Sequence, residues 1–264
     1  MNMKEELLKV QCFTQRNAHP SNSEKYQLIN TLDIIEELEK HSWSISSFRE
    51  INCRNGSHHE GFQKHMVTMK HNDITYNGSS PEVAILNAHD RSWRLKMLGG
   101  IRVSYCDNGL IFAKETFESF VITHIGTAKE KAVEATQAII ENMPKVVHFT
   151  DKLKNIKLSD TQQFNFGDQA LSLAYREEFW QRNKKYSSIM NFIQPKREAD
   201  EGGSLWNVFN ITQEKLLRKS EFIVDSKHHI KARKEVTNVN QIVRLNQNLW
   251  NLAEQASNDI ALIS

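Results

Sequence analysis

The chain reads as an α+β protein: an antiparallel, hairpin-rich sheet over about residues 60–125, packed by a long helix and followed by a mainly helical C-terminal half. Three observations predict this. Between Gly61 and Ile125 short alternating apolar runs are separated by Asn-Gly and Asp-Asn-Gly turns, the punctuation of hairpins. After Gly126-Thr127 the apolar spacing changes from two to three or four, with Ala128, Ala132, Ala135, Ile139 and Met143 on one stripe, the period of a helix. Helical spacing then recurs to the C-terminus.

In order, residues 1–20 read as a flexible arm, 21–153 as the α+β core domain, and 154–264 as a helical region packing on it. Ser21 and Glu24 have capping-box spacing, which predicts a helix running through Leu28, Ile29, Leu32, Ile35 and Leu38. Ser42 to Ile51 alternates loosely, as a strand does. Gly61 to His71 predicts a strand, and Asn77-Gly78 turns the chain into a second apolar strand, Val83 to Leu86. Gly99-Gly100 predicts a bend. Ile101–Tyr105 and Leu110–Ala113, joined by Asp107-Asn108-Gly109, predict a tight hairpin, because Asn and Gly accept positive φ at little cost. Phe117 to Ile125 is a further strand. Thr127 and Glu130 form another capping box, and Pro144 is expected to stop or kink the helix behind it.

Beyond a polar connection at 154–162, a helix is expected over 166–184, burying Ala170, Leu173, Ala174 and Phe179. Residues 194–203 combine Pro195, charge and Gly202-Gly203, and predict a flexible loop. Ser204 or Asn207 opens the next helix. The last helix, about 238–256, buries Val239, Ile242, Leu245, Leu249 and Leu252.

The bulk numbers exclude several classes. With 264 residues the chain can bury a sizeable core. Its formal net charge is +2, from 34 basic and 32 acidic residues, so any basic surface must be local. Three scattered cysteines, Cys12, Cys53 and Cys106, match neither a disulfide framework nor a zinc motif and fit a reducing cytoplasm. No run approaches the roughly 18 apolar residues of a membrane span. No P-loop and no G-x-S-x-G elbow is present, and nothing calls for a cofactor.

The stretch Pro81 to Leu110 is the most informative. Its motifs Asn87-Ala88-His89-Asp90, Gly99-Gly100-Ile101-Arg102 and Cys106-Asp107-Asn108-Gly109-Leu110 resemble those of the phage/plasmid-like protein family of unknown function. The resemblance extends to Thr31–Trp43, to Gln63–His71, to the helix bearing Trp206, Asn210, Gln213, Glu214 and Arg218, and to Arg244-Leu245-Asn246 with Leu249-Trp250. Ala88 and Asp107 stand where that family usually has Ser. The resemblance implies a role in the life of mobile DNA, such as recombination, replication or evasion of host defence, and no particular reaction.

Three functions follow. The first is a non-enzymatic nucleic-acid-binding accessory of phage or plasmid DNA metabolism that favours single-stranded DNA. Arg91, Arg94, Lys96 and Arg102 flank Trp93. Arg218, Lys219, Lys231, Arg233 and Lys234 lie in the helical half. Cationic groups grip phosphates and aromatic faces stack bases. The bland alternative is a solvated charged surface with Trp93 in the core. The second function is counter-defence by binding a host protein. The third is a metal-dependent nuclease or other hydrolase, with His65, His89, His124 and Asp90 as weak candidate ligands; turn-capping by Asp90 and surface imidazoles are its bland counterpart. A Cys106 nucleophile beside His89 and His124 is a further variant. Glu214 is expected to pair with Arg197 or Arg218. Asn87, His89, Asp90, Asn108 and Gly109 are taken as turn residues. Self-association is left open.

Overall fold

The computed structural model describes residues 3–22, 26, 28–51, 53, 57, 59–75, 79–103, 109–111, 120–122, 128–175, 177–183, 186–218 and 234–264. The chain forms two compact units, Met1–Lys145 and Val146–Ser264.

The first unit is built on an antiparallel sheet. Its long strands are β1 (Trp43–Glu50), β2 (His65–His71), β3 (Ser79–Asn87) and β4 (Leu95–Val103), in that spatial order. Two short strands, β5 (Gly109–Ile111) and β6 (Phe120–Ile122), both pair with β4, at Gly100–Arg102 and Leu95–Met97 respectively. The sheet therefore starts at Trp43 rather than near residue 60. Because strand side chains alternate between faces, the register His65↔Asn87, Val67↔Ile85 and Met69↔Val83 puts these six residues on one face. All six are fully buried. Gly99 and Gly100 do not bend the chain. They continue β4 opposite Val83 and Glu82.

Residues 3–14 are not a loose arm. They form α1 (Met3–Leu7) and α2 (Gln11–Thr14), and Leu7, Cys12 and Phe13 are completely buried. The Phe13 ring meets Phe48 and His65 edge-on, at centroid distances of 5.6 and 4.8 Å. An amphipathic 12-residue segment is too short to be stable alone; burial of these side chains holds it. The next helix, α3 (Thr31–Glu39), starts ten residues after Ser21, capped by the Asn30 side chain on the Asp33 amide. Asn is among the strongest N-cap residues; Glu24, the other half of the expected Ser21 capping box, lies outside the described residues.

The helix α4 (Ala128–Asn155) runs through Pro144. Proline costs a helix interior about 3 kcal/mol, but Met143 and Val146 on either side of it are fully buried, and burying two such side chains is worth about as much. The boundary between the two units falls just after this proline.

In the second unit the helix expected over 166–184 is two, α5 (Asp160–Ser172) and α6 (Glu177–Asn183). The start is set by a capping box between Ser159 and Gln162. Phe166, Ala170 and Leu171 face inward, whereas Phe179 is exposed and Trp180 takes the buried place. The helix α7 (Tyr186–Ile193) lies against α5, where a side chain at Gly167 would collide with Ile193. Residues 194–203 are more ordered than their composition suggests, with a 3-10 turn at Glu198–Asp200. The helix α8 (Leu205–Leu217) is opened by Ser204, and α9 (Val239–Asn258) buries the expected Val239, Ile242, Leu245, Leu249 and Leu252. These two helices are tied by Gln213 Nε2 donating to Asn246 Oδ1 at 2.7 Å. No described helix is long and apolar enough to cross a membrane.

Candidate nucleic-acid interface

The end of β3 and the start of β4 enclose the turn singled out above, and its residues divide sharply. Asn87 is fully buried and donates through Nδ2 to the Ile29 carbonyl and to Thr31 Oγ1, both at 3.0 Å, while its Oδ1 accepts from the Ala88 amide. Thr31 Oγ1 also meets His65 Nε2 at 2.7 Å, and His65 Nδ1 lies 2.8 Å from the Gln63 carbonyl. Both ring nitrogens of His65 are thus engaged. Burial, with His89 next to it, pulls its pKa down to about 3, so the ring is neutral. His89 is also fully buried rather than a surface imidazole. Its Nε2 sits 2.9 Å from the Cys12 carbonyl, and its own carbonyl accepts from Asn22.

Asp90 closes the turn. Its Oδ1 accepts from the Ser92 amide and hydroxyl, and its Oδ2 lies 3.2 Å from His59 Nδ1. Burial pushes its carboxyl up, but the Ser92 hydrogen bonds and the nearby His59 outweigh this and hold it below the usual range. Nearby Tyr26 is pushed up to about 12 by burial and by the charge of Asp90. Among the described residues no group of three or more His, Cys, Asp or Glu is placed to hold a metal ion. His124 and Cys106 lie outside the described residues.

One residue further on, the character changes. Arg91 adopts φ of 64°, a left-handed conformation that costs a non-glycine residue about 1–2 kcal/mol. Its guanidinium donates to the Ser21 carbonyl at 2.8 Å. Arg91, Arg94 and Lys96 are exposed, and Trp93 is partly exposed rather than in the core. The Lys64 ammonium lies over the Trp93 ring, 5.1 Å from its centroid, a cation–π distance. Among the described residues neither Arg94 nor Lys96 pairs with a carboxylate. Lys96 is flanked on β6 by Val121, itself exposed. Lys64 was missed in the sequence because its partner is 29 positions away; no local spacing signals it.

Arg102 does not join this surface. Its Nε donates to the buried Glu82 at 3.0 Å, and Ser46 donates to the same oxygen at 2.7 Å. Burial raises the Glu82 carboxyl and Arg102 partly offsets the rise. A buried carboxylate demands a partner, so Arg102 is spent on the sheet.

The remaining expected contacts belong to the second unit. Arg218 and Lys234 are exposed, while Lys219, Lys231 and Arg233 lie outside the described residues, as does Asn108. Gly109 begins β5. Glu214 does meet Arg197.

Comparison with known proteins places the chain among proteins of unknown function and adds neither an activity nor a phage or plasmid context. The chain is 24% identical over 253 residues to the UPF0380 proteins YafZ and YfjQ of Escherichia coli strain K12, covering 95% of this chain and 90% of each of theirs. No solved structure matches. A family model described as a domain of unknown function, DUF932, matches residues 18–250, and the chain belongs to that family.

Proposed function

We propose that the protein binds single-stranded nucleic acid, DNA in the first instance, through the surface around Trp93, as a non-enzymatic accessory of phage or plasmid DNA metabolism. One observation carries this reading. A partly exposed indole, held under Lys64, sits beside three exposed cations, two of which meet no carboxylate among the described residues. Exposed cations without counter-charges hold mobile counterions, and releasing these to solvent drives association with a phosphate chain. The indole face supplies stacking to an unpaired base, worth about 1–3 kcal/mol. Arg91 also holds a strained, left-handed backbone, and such strain clusters at functional sites.

The test is a titration of the full chain with a fluorescent oligonucleotide from low to high salt, repeated with Trp93→Ala. Binding that weakens steeply with salt, and a loss of about 5–150-fold in the variant, is the expected result. Absence of binding at low salt, or affinity indifferent to salt, overturns the reading.

A further inference from the structure

The turn that leads into the Trp93 surface holds an ionisable pair. Asp90 closes the turn with one carboxylate oxygen, Oδ1, which accepts from the Ser92 amide at 2.9 Å and from the Ser92 hydroxyl. Its other oxygen, Oδ2, lies 3.2 Å from His59 Nδ1. The two side chains differ in access: 45% of the His59 side chain is exposed, against 10% for Asp90. Asp90 stands one residue before Arg91 and three before Trp93. Chain length alone keeps the α-carbons of Asp90 and Trp93 within about 11 Å of each other, close to the ~10 Å over which charges act in 0.1 M salt. The carboxylate therefore opposes a phosphate drawn to Arg91, and an imidazolium beside it cancels that opposition.

Among the described residues, the groups around His59 are chemically distinct. His19 stacks on it, with ring centroids 5.6 Å apart and planes 16° from parallel. His19 is buried, meets Phe62 edge-on, and accepts the Ser21 amide on Nδ1; a proton on that nitrogen would break this bond. The Ser21 carbonyl in turn accepts from the Arg91 guanidinium, which ties the imidazole pair to the cationic step. Against burial, which raises it, the Ser92 hydrogen bonds and His59 hold the Asp90 carboxyl below its usual range. Tyr26, which feels Asp90 and Arg91, is pushed up to about 12, first by burial. Burial also raises the Cys53 thiol, which feels Asp90. Glu60, the next residue in the chain, adds a further carboxylate. Between pH 6 and pH 8 Asp90 thus stays an anion and Arg91 a cation, while Tyr26 and Cys53 stay neutral. Imidazole is the side chain that changes charge in this interval, and of the two rings His59 is the one open to solvent and already beside a carboxylate.

We propose, resting on the reading of the Trp93 surface as a nucleic-acid interface, that His59 is its proton-linked element: the imidazole takes up a proton from solvent as a phosphate chain binds, cancels the charge of Asp90, and so makes affinity rise as the pH falls. A phosphate held more strongly when His59 is charged must, by reciprocity, favour the charged imidazole. The extra affinity is present where the imidazole is protonated and is lost as the pH rises.

The experiment titrates the full chain with fluorescent oligothymidylate, whose bases do not change charge over this range, at pH 8 and pH 6 and one ionic strength. The melting temperature is recorded at each pH. An affinity about two- to fivefold higher at pH 6, the effect of a unit charge roughly 10 Å from one or two phosphates, is expected for the wild-type chain. His59→Gln is expected to bind equally at both pH values. Asp90→Asn keeps an acceptor for the Ser92 amide and is expected to bind more tightly than the wild-type chain at pH 8, which supplies a second readout should His59→Gln fail to fold. Equal wild-type affinity at the two pH values, a rise that His59→Gln retains, or no gain at pH 8 in folded Asp90→Asn overturns the proposal and leaves the Trp93 reading standing. Absence of oligonucleotide binding at low salt at both pH values removes both.

Discussion

Asn87 to Asp90 and Arg91 to Lys96 are consecutive in the chain and opposite in character. The first group is a clasp. Asn87 and His89 reach from the end of β3 into the N-terminal segments and satisfy the Ile29 and Cys12 main chain, with Thr31 and His65 completing the network. The second group points its charges at solvent and, at Arg94 and Lys96, leaves them uncompensated among the described residues. The difference teaches that a strong motif need not be the working site. Buried polar side chains that hydrogen-bond to the N-terminal segments hold the fold together, while exposed cations follow immediately after them.

The largest expected effect tests the clasp. Asn87→Ala leaves the Ile29 carbonyl and Thr31 without their donor inside the core, and should cost about 3 kcal/mol of stability, read from the midpoint of urea unfolding. A loss below about 1 kcal/mol would mean that water replaces the amide and that the turn is free for another role.

Acid should act on the same network. The folded pKa of His65, about 3, lies below its ordinary value of 6.5. The unfolded chain therefore binds a proton that the folded chain refuses. The contribution is fully present above pH 6.5 and is lost between 6.5 and 3, with a slope approaching about 1.4 kcal/mol per pH unit. His71, also lowered by burial, acts in the same sense, whereas Glu82, raised by burial, acts oppositely in the acid range above 4.5. Unfolding midpoints measured at half-unit steps from pH 7.5 to 4.5 check this; a flat profile would mean that the imidazole is reached by solvent.

The exposed group should behave in reverse. Arg94→Ala is expected to leave stability within about 0.5 kcal/mol and to reduce the slope of log affinity against log salt by about one. If it unfolds the protein instead, the contrast between clasp and surface is wrong.

Periodicity and turn chemistry made much of this molecule legible. The apolar spacing of α9 and the alternation of β2 and β3 survive because each is a local pattern read by a single partner face. The misread elements are those where long-range burial overruled a local rule. Pro144 stays inside α4 because Met143 and Val146 are both buried. Gly99-Gly100 stays in a strand because β3 pairs along its whole length. Residues 3–14, unremarkable by propensity, are held by the pocket that accepts Phe13.

The chemistry divides in the same way. Composition by itself determined that any cationic surface would be local, and the Arg91–Lys96 run that one group of cations would lie beside Trp93, since charge and aromatic type are properties of the residues. Tertiary structure alone decided which cations stay available. Arg102 is captured by Glu82, 20 positions away, Lys64 is brought onto Trp93 from 29 positions away, and Arg197 is drawn off by Asp200 and Glu214. An electrostatic partner is chosen by distance in space and by the cost of leaving a buried charge alone, and neither quantity is written in the order of the residues.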